Sequence, residues 1–168
     1  MTGFRSEPLA SRHQRSGFSC GEPVLDDYLR SRASQDMRRY SAAVFVLVPE
    51  SDPLRIAGYY TLSAFSIELD SLPAAITKHL ARYSSVPALL IGRLARDLSF
   101  PGLGGILLAD ALARCARQAE EIGASLIVVE AKNAVAKRFY EKHGFHALES
   151  HPTRLVLPMR TVRSLLPT

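Results

Sequence analysis

Residues 89–123 read LLIGRLARDLSFPGLGGILLADALARCARQAEEIG, and the order of elements in this stretch decides the fold. The apolar run Ala88 to Ile91 lies within Val86–Leu98 and reads as a strand buried on both faces. Pro101, Gly102, Leu103, Gly104 and Gly105 then form a glycine-rich turn. From Ile106 to Ile122, residues Leu107, Leu108, Ala111, Leu112 and Cys115 recur at helical spacing, and Gly123 follows as the stop. A glycine turn between strand and helix has two uses. It makes a tight connection, or it lets a phosphate approach the free N–H groups at the helix start. Neither the Rossmann spacing nor the Walker A lysine is present, so the stretch alone leaves both uses open.

Working outward toward the N-terminus, Val24 to Tyr40 reads as an amphipathic helix with Val24, Leu25, Tyr28, Leu29, Ala33 and Met37 on one face and Pro23 at its start. Ala42 to Val48 and Arg55 to Ile67 are rich in β-formers and read as a hairpin turning through Pro49 to Pro53. Leu72 to Tyr83 is weakly helical. Toward the C-terminus, Ser125 to Ala131 reads as a buried strand, and Leu155 to Met159 as the last one. Between them Asn133 to His143 is a short helix, with Asn133 as N-cap and Gly144 as its terminal glycine.

Composition bounds what such a chain can be. At 168 residues, 47% apolar and 22% charged, it has enough apolar material for a full core and excludes disorder, collagen and coiled coil. No repeat or linker interrupts it, so a single mixed α/β domain over 1–168 is expected. No apolar run approaches the ~20 residues of a bilayer span, and Met1 to Leu9 lacks a signal-peptide stretch, so no membrane partner and a cytoplasmic location are expected. Cys20 and Cys115 form no CxxC pair. His143, His146 and His151 flank Gly144 and Pro152 without a ligand-bearing helix, so no metal is expected. No GxSxG and no paired carboxylates mark a hydrolase.

Charge is unevenly placed. Seven basic residues against two acids from Lys132 onward carry the whole net charge of +5. A second group, Arg12, Arg15, Arg30, Arg32, Arg38 and Arg39, flanks the first helix. Such groups make either an ordinary solvated face or a surface for a polyanion such as RNA. The helix 133–143 ends in Phe139, Tyr140, Glu141, Lys142, His143, Gly144 and Phe145, where Tyr140 either packs with its hydroxyl at the surface or serves chemistry.

The glycine turn and the Phe139-Tyr140 helix, in this order, resemble the GNAT N-acetyltransferase family. Phe18, Cys20, Gly21, Leu25, Asp26 and Leu29, then Ile56 to Leu62, then Gly92, Arg93, Leu94, Ala95 and Asp97 are similar to its branch of bacterial toxin-antitoxin toxins, over roughly residues 15–160. The resemblance implies a mixed, mostly antiparallel central sheet flanked by helices. It also implies acetyl-CoA as cosubstrate, held by Leu94, Ala95, Arg96, Gly102, Leu103, Gly104, Gly105, Asn133 and Phe139, with Tyr140 as the catalytic group near the thioester sulfur.

Aminoacyl-tRNA is the implied acceptor, with Arg30, Arg32, Arg38, Arg39, Lys137, Arg138 and Lys142 as the RNA-facing cations. A ribbon-helix-helix antitoxin and a second copy of the chain are the implied protein partners. One departure stands out. Where the family carries Arg or Gln at the start of a six-residue loop ending in Gly-x-Gly, Ser99, Phe100 and Pro101 precede Gly102, Leu103 and Gly104, the segment from Asp97 is about two residues shorter, and Pro101 offers no N–H, so fewer donors are expected for the pyrophosphate. A GNAT acting on a small amine or a protein N-terminus, and an inactive binding module of the same fold, are the alternative readings.

Overall fold

The computed structural model describes residues 3–166. Seven strands are hydrogen-bonded in the order β1-β2-β3-β4-β5-β7-β6. They are β1 (Phe4–Pro8), β2 (Ala43–Pro49), β3 (Gly58–Glu68), β4 (Ser85–Arg96), β5 (Leu126–Glu130), β6 (His146–Ala147) and β7 (Arg154–Pro158). β1 with β2, β2 with β3, β5 with β7 and β6 with β7 run antiparallel, whereas β4 and β5 run parallel. The helices are α1 (Pro23–Ser31), α2 (Ala33–Arg38), α3 (Ala74–Thr77), α4 (Leu103–Glu121), α5 (Ala134–Lys142) and α6 (Met159–Leu165). This is the mixed, mostly antiparallel α/β arrangement expected above.

Residues through Ser63 together with Gly92–Ala111 form one compact unit, and Ala64–Ile91 with the chain from Leu112 onward form another. In the first, Val44, Val46 and Val48 of β2 alternate inward beside Tyr59, Ala95, Tyr28, Leu29 and Phe18. There the β2–β3 hairpin has the register Val44↔Thr61 and Val46↔Tyr59. Asp110 of α4 accepts hydrogen bonds from the Ser6 hydroxyl of β1 and the Tyr60 hydroxyl of β3, each at 2.6 Å. In the second unit Leu126 to Val129 are fully buried, and Leu126, Val128 and Val156 pack with Ile67, Ile76 and Val86. Each such side chain contributes about 1.5–3 kcal/mol of burial.

Several sequence expectations are corrected. The helix over 24–40 is two helices, broken at Arg32, whose φ and ψ are −121° and −28°. At the break the Ser31 hydroxyl donates to the Asp27 carbonyl at 2.6 Å, a back-bond that bends helices. Val24, in the first turn of α1, is 79% exposed rather than packed. The helix at Leu72 to Tyr83 shrinks to the four residues of α3, and β3 begins at Gly58 rather than Arg55. α4 starts at Leu103, three residues before the position expected, and Gly123 lacks a positive φ, so the stop is not a left-handed cap. β1, β6 and α6 were not anticipated.

Candidate active site

One group of candidate residues is built on the end of β4. Ala95 is 5% exposed and faces the core, while Leu94 and Arg96 are half-buried and Arg96 reaches the Asp97 carbonyl. Asp97 then organises the turn. Its carboxylate accepts the Ser19 N–H at 3.0 Å and the Ser99 N–H at 2.9 Å, and the Ser99 hydroxyl donates to it as well. Burial pushes the Asp97 carboxyl up, but these bonds and the charge of Arg55 outweigh it and leave the pKa below its ordinary value. Arg55 donates to the Ser99 hydroxyl at 2.7 Å and lies 4.9 Å over the Phe100 ring, which meets Phe4 edge-on. The turn that departs from the family pattern is therefore a fixed one.

Gly102 has φ +81°, the left-handed region that side chains disfavour, and a Cβ there would meet nothing within 4 Å. Its role is to turn the backbone in open space, not to permit close packing. Because α4 begins at Leu103, Gly104 and Gly105 lie in the first helical turn, where N–H groups have no intrahelical partner. Leu103, 2% exposed, anchors that turn in the core, and its own N–H goes to the Phe100 carbonyl. Pro101 contributes none. The free N–H groups of such a first helical turn suit an anionic group.

A second group of candidate residues lies on β5 and α5. The Asn133 side chain caps α5 by accepting the Ala136 N–H at 2.8 Å, as its sequence position suggested. At the other end Gly144 has φ +95°, and the Phe145 N–H returns to the Tyr140 carbonyl at 3.1 Å. Those two ends fix the ring of Tyr140 between Phe139 and Phe145, edge-on to both at 5.3 and 5.5 Å. Tyr140 is 7% exposed, and burial pushes its pKa up to about 12. Its hydroxyl makes no hydrogen bond among the described residues, yet no fully buried side-chain polar atom there is left unpartnered. The hydroxyl is therefore the one accessible end of an otherwise buried ring.

The predicted residues fall into two groups. Leu94, Ala95, Arg96, Gly102, Leu103, Gly104 and Gly105 share the first unit with the exposed Arg30, Arg32, Arg38 and Arg39. Arg30 pairs with Asp27 at 2.8 Å, whereas Arg32 and Arg38 have no ion pair among the described residues. Tyr140, Phe139 and Asn133 share the second with Lys137, Arg138 and Lys142, of which Arg138 and Lys142 are exposed. His143 donates from Nδ1 to the Phe139 carbonyl at 2.8 Å. No group of three metal-ligating side chains occurs among the described residues. The second unit also holds a cleft of about 1230 Å³ lined by Ile76, His79, His146, Met159 and Arg160, which none of the predicted residues borders.

Sequence reasoning passed over Arg55 as a support of the turn, because nothing local links it to Ser99. It also left Arg93 without a role. The sequence signals for Arg93 were its place in the Gly92 to Asp97 stretch that resembles the toxin branch and its position two residues from Ala95 on one strand.

No family model matches the chain. The tRNA-acetylating toxin of Mycobacterium tuberculosis is 35% identical over 169 residues, covering 99% of this chain and 99% of that protein. The probable toxin TacT of Sinorhizobium fredii is 32% identical over 170 residues, covering 95% and 93%. Among solved structures, AtaT complexed with acetyl-methionyl-tRNAfMet superposes with a TM-score of 0.89 at 26% identity, covering 97% of this chain and 99% of that one. AtaTR bound with AcCoA gives 0.83 at 27% identity, covering 96% and 97%. A Tyr-to-Phe mutant of the AtaT toxin bound to the C-terminus of the antitoxin AtaR gives 0.84 at 25%, covering 98% and 99%. With this identity sustained over nearly its whole length, the chain belongs to the family of tRNA-acetylating GNAT toxins.

Proposed function

We propose that this protein transfers the acetyl group of acetyl-CoA to the α-amine of aminoacyl-tRNA, which removes charged tRNA from translation. The observation that carries the reading is Tyr140, a buried tyrosine whose hydroxyl alone is accessible and unspent. Acetyl-CoA brings a thioester, whose carbonyl carbon accepts the amine and whose sulfur leaves as a thiolate.

The strand end Leu94 to Arg96 orients the thioester through backbone groups, and Gly104 and Gly105 hold the pyrophosphate by their N–H groups. Tyr140, with a pKa of about 12, stays protonated at neutral pH and donates its O–H to the departing sulfur. Thiols ionise near ~8.5, well below this phenol, so Tyr140 keeps its proton and acts as a hydrogen-bond donor to the charge developing on sulfur, and the departed thiolate takes its proton from solvent. The new C–N bond forms as the C–S bond breaks, and the amine's surplus proton passes to solvent.

The acceptor class follows from the chemistry of the amine. A lysine, at ~10.4, would require a strong general base, whereas an α-amine near ~7.7 is already largely neutral in the cell. Exposed arginines on α1 and α2 supply cations for an RNA backbone. A cytosolic site of action fits this substrate, and no described helix is long and apolar enough to cross a membrane. Restraint by an antitoxin whose C-terminal segment docks on the toxin, as the AtaT complex illustrates for its own pair, fits the same reading.

The test is to incubate the purified protein with labelled acetyl-CoA and a mixture of charged tRNAs, following thiol release and label on the aminoacyl group. Thiol release with label on the α-amine supports the reading. Efficient acetylation of a polyamine or peptide with charged tRNA untouched would remove tRNA as the acceptor.

A further inference from the structure

Arg93 lies on β4 two residues before Ala95, whose side chain joins the core beneath α1 and α2, so strand alternation turns Arg93 to the same face. Its guanidinium carbon sits 3.6 Å from the centre of the Tyr28 ring. That ring is fixed. Tyr28 is 4% exposed, its hydroxyl donates to Asp36 at 2.7 Å, and it stacks on Tyr59 at 6.3 Å and 10°. Tyr59 in turn donates to the Leu25 carbonyl at 2.8 Å. The cation is thus held by an aromatic surface that cannot turn away.

What Arg93 lacks is an anion. Its N–H groups make no hydrogen bond and no ion pair among the described residues, and Asp36 is committed to Tyr28. Arg154 shows the contrast, since it too lies over a ring, that of Phe65, but has the Glu130 carboxylate at 2.7 Å. A half-buried guanidinium, fixed on one side with a rigid fork of donors unused, is suited to a planar or tetrahedral oxyanion from outside. It directly precedes Leu94 to Arg96, so the anion it takes lies within a few residue spacings of the thioester position. Arg32 and Arg38, exposed on α1–α2 without ion pairs, extend positive charge over the same unit and favour a chain of phosphates over one carboxylate.

Resting on the aminoacyl-tRNA reading above, we propose that Arg93 binds a backbone phosphate at the aminoacylated end of the acceptor RNA and so positions the α-amine. It is a substrate-binding residue and takes no part in proton transfer.

Binding of deacylated tRNA is measured for wild type, Arg93→Gln and Arg93→Lys over a salt series. Losing one charge-assisted phosphate contact should weaken Arg93→Gln about tenfold and flatten the slope of log K against log salt by about 0.7. Arg93→Lys should keep the slope and recover part of the affinity, and it carries the measurement if Arg93→Gln does not fold. With charged tRNA and acetyl-CoA, KM should rise with little change in kcat. Unchanged affinity and slope, or a loss of kcat at constant KM, overturns the proposal. So does intact tRNA binding with loss of binding to an acidic peptide, which would assign Arg93 to a protein partner. If wild type acetylates no tRNA, the acceptor reading falls, while the binding series still decides for or against Arg93.

Discussion

One oxygen of Asp97 accepts both the backbone N–H and the hydroxyl of Ser99, while its other oxygen takes the N–H of Ser19. One buried carboxylate therefore sets the turn that leads into α4. Asp97→Ala should leave those donors unsatisfied, costing about 1–3 kcal/mol of stability and weakening acetyl-CoA. Thermal unfolding and calorimetric titration check both effects. Full affinity in a stably folded variant would show that the turn holds itself without Asp97.

Acid sensitivity follows from Asp97 and Glu7. Glu7 is held below its ordinary value mainly by the hydrogen bond with His13, against desolvation and with help from Arg12 and Arg5. A carboxyl whose folded pKa lies below its unfolded one contributes stability above the unfolded value, about 3.9 for Asp and 4.3 for Glu. That contribution disappears as pH falls through the folded value. The urea midpoint of wild type should thus decline steeply below about pH 4, and Glu7→Gln should start lower at pH 7 and converge with wild type in strong acid. Parallel midpoint curves for the two proteins would rule this out.

Tyr140→Phe should keep the fold and acetyl-CoA affinity while lowering kcat by roughly 10²-fold or more. Because burial puts the phenol at about 12, wild-type activity should show no loss from Tyr140 ionisation across the neutral and mildly alkaline range. Steady-state rates to about pH 10, where an ordinary tyrosine would be half ionised, check this.

Gly102→Ala introduces a methyl that meets no protein atom, but at φ +81° it should cost about 1–2 kcal/mol of backbone strain. Gly102→Asn should cost less, since Asn tolerates that conformation. Where acetyl-CoA lies over the turn, both variants should bind it more weakly than their stability loss explains. A loss of stability with unaltered affinity would make the glycine turn a connector only.

Replacing Arg38 and Arg39 together by Ala should weaken acetylation of charged tRNA broadly and flatten its salt dependence, with a much smaller effect on a small free amine. The comparison of the two acceptors over a salt series is the measurement.

What the sequence disclosed tracks what was local. Leu126 to Val129, the Asn133 cap and the Gly144 stop were legible because a few adjacent residues set each of them. The break at Arg32 was not, since apolar spacing continues through it and the bend comes from a hydroxyl of Ser31 competing for a helix carbonyl. β1 was missed because Phe4 to Pro8 mixes charge, hydroxyl and proline and becomes a strand only by pairing with β2. Tyr140 was legible as a candidate, but its accessible hydroxyl was not, because that depends on where Phe139 and Phe145 place their rings. Asp97 and Arg93 needed the fold, for their partners lie 78 and 65 residues away in Ser19 and Tyr28.

Asp110 receives the hydroxyls of Ser6 and Tyr60 from two strands that do not neighbour each other, with β2 between them. The outermost strand is thereby wired to the same helix whose opening turn carries Gly104 and Gly105. Any alteration that peels β1 away, including a bulky affinity tag fused ahead of Phe4, would slacken the seat of that helix and be felt at its first turn from the edge of the sheet. For anyone preparing this protein, where a tag is fused is therefore a structural choice, since the edge strand helps to seat α4, and the C-terminal helix is tied to α4 as well, through Arg163 and Glu120.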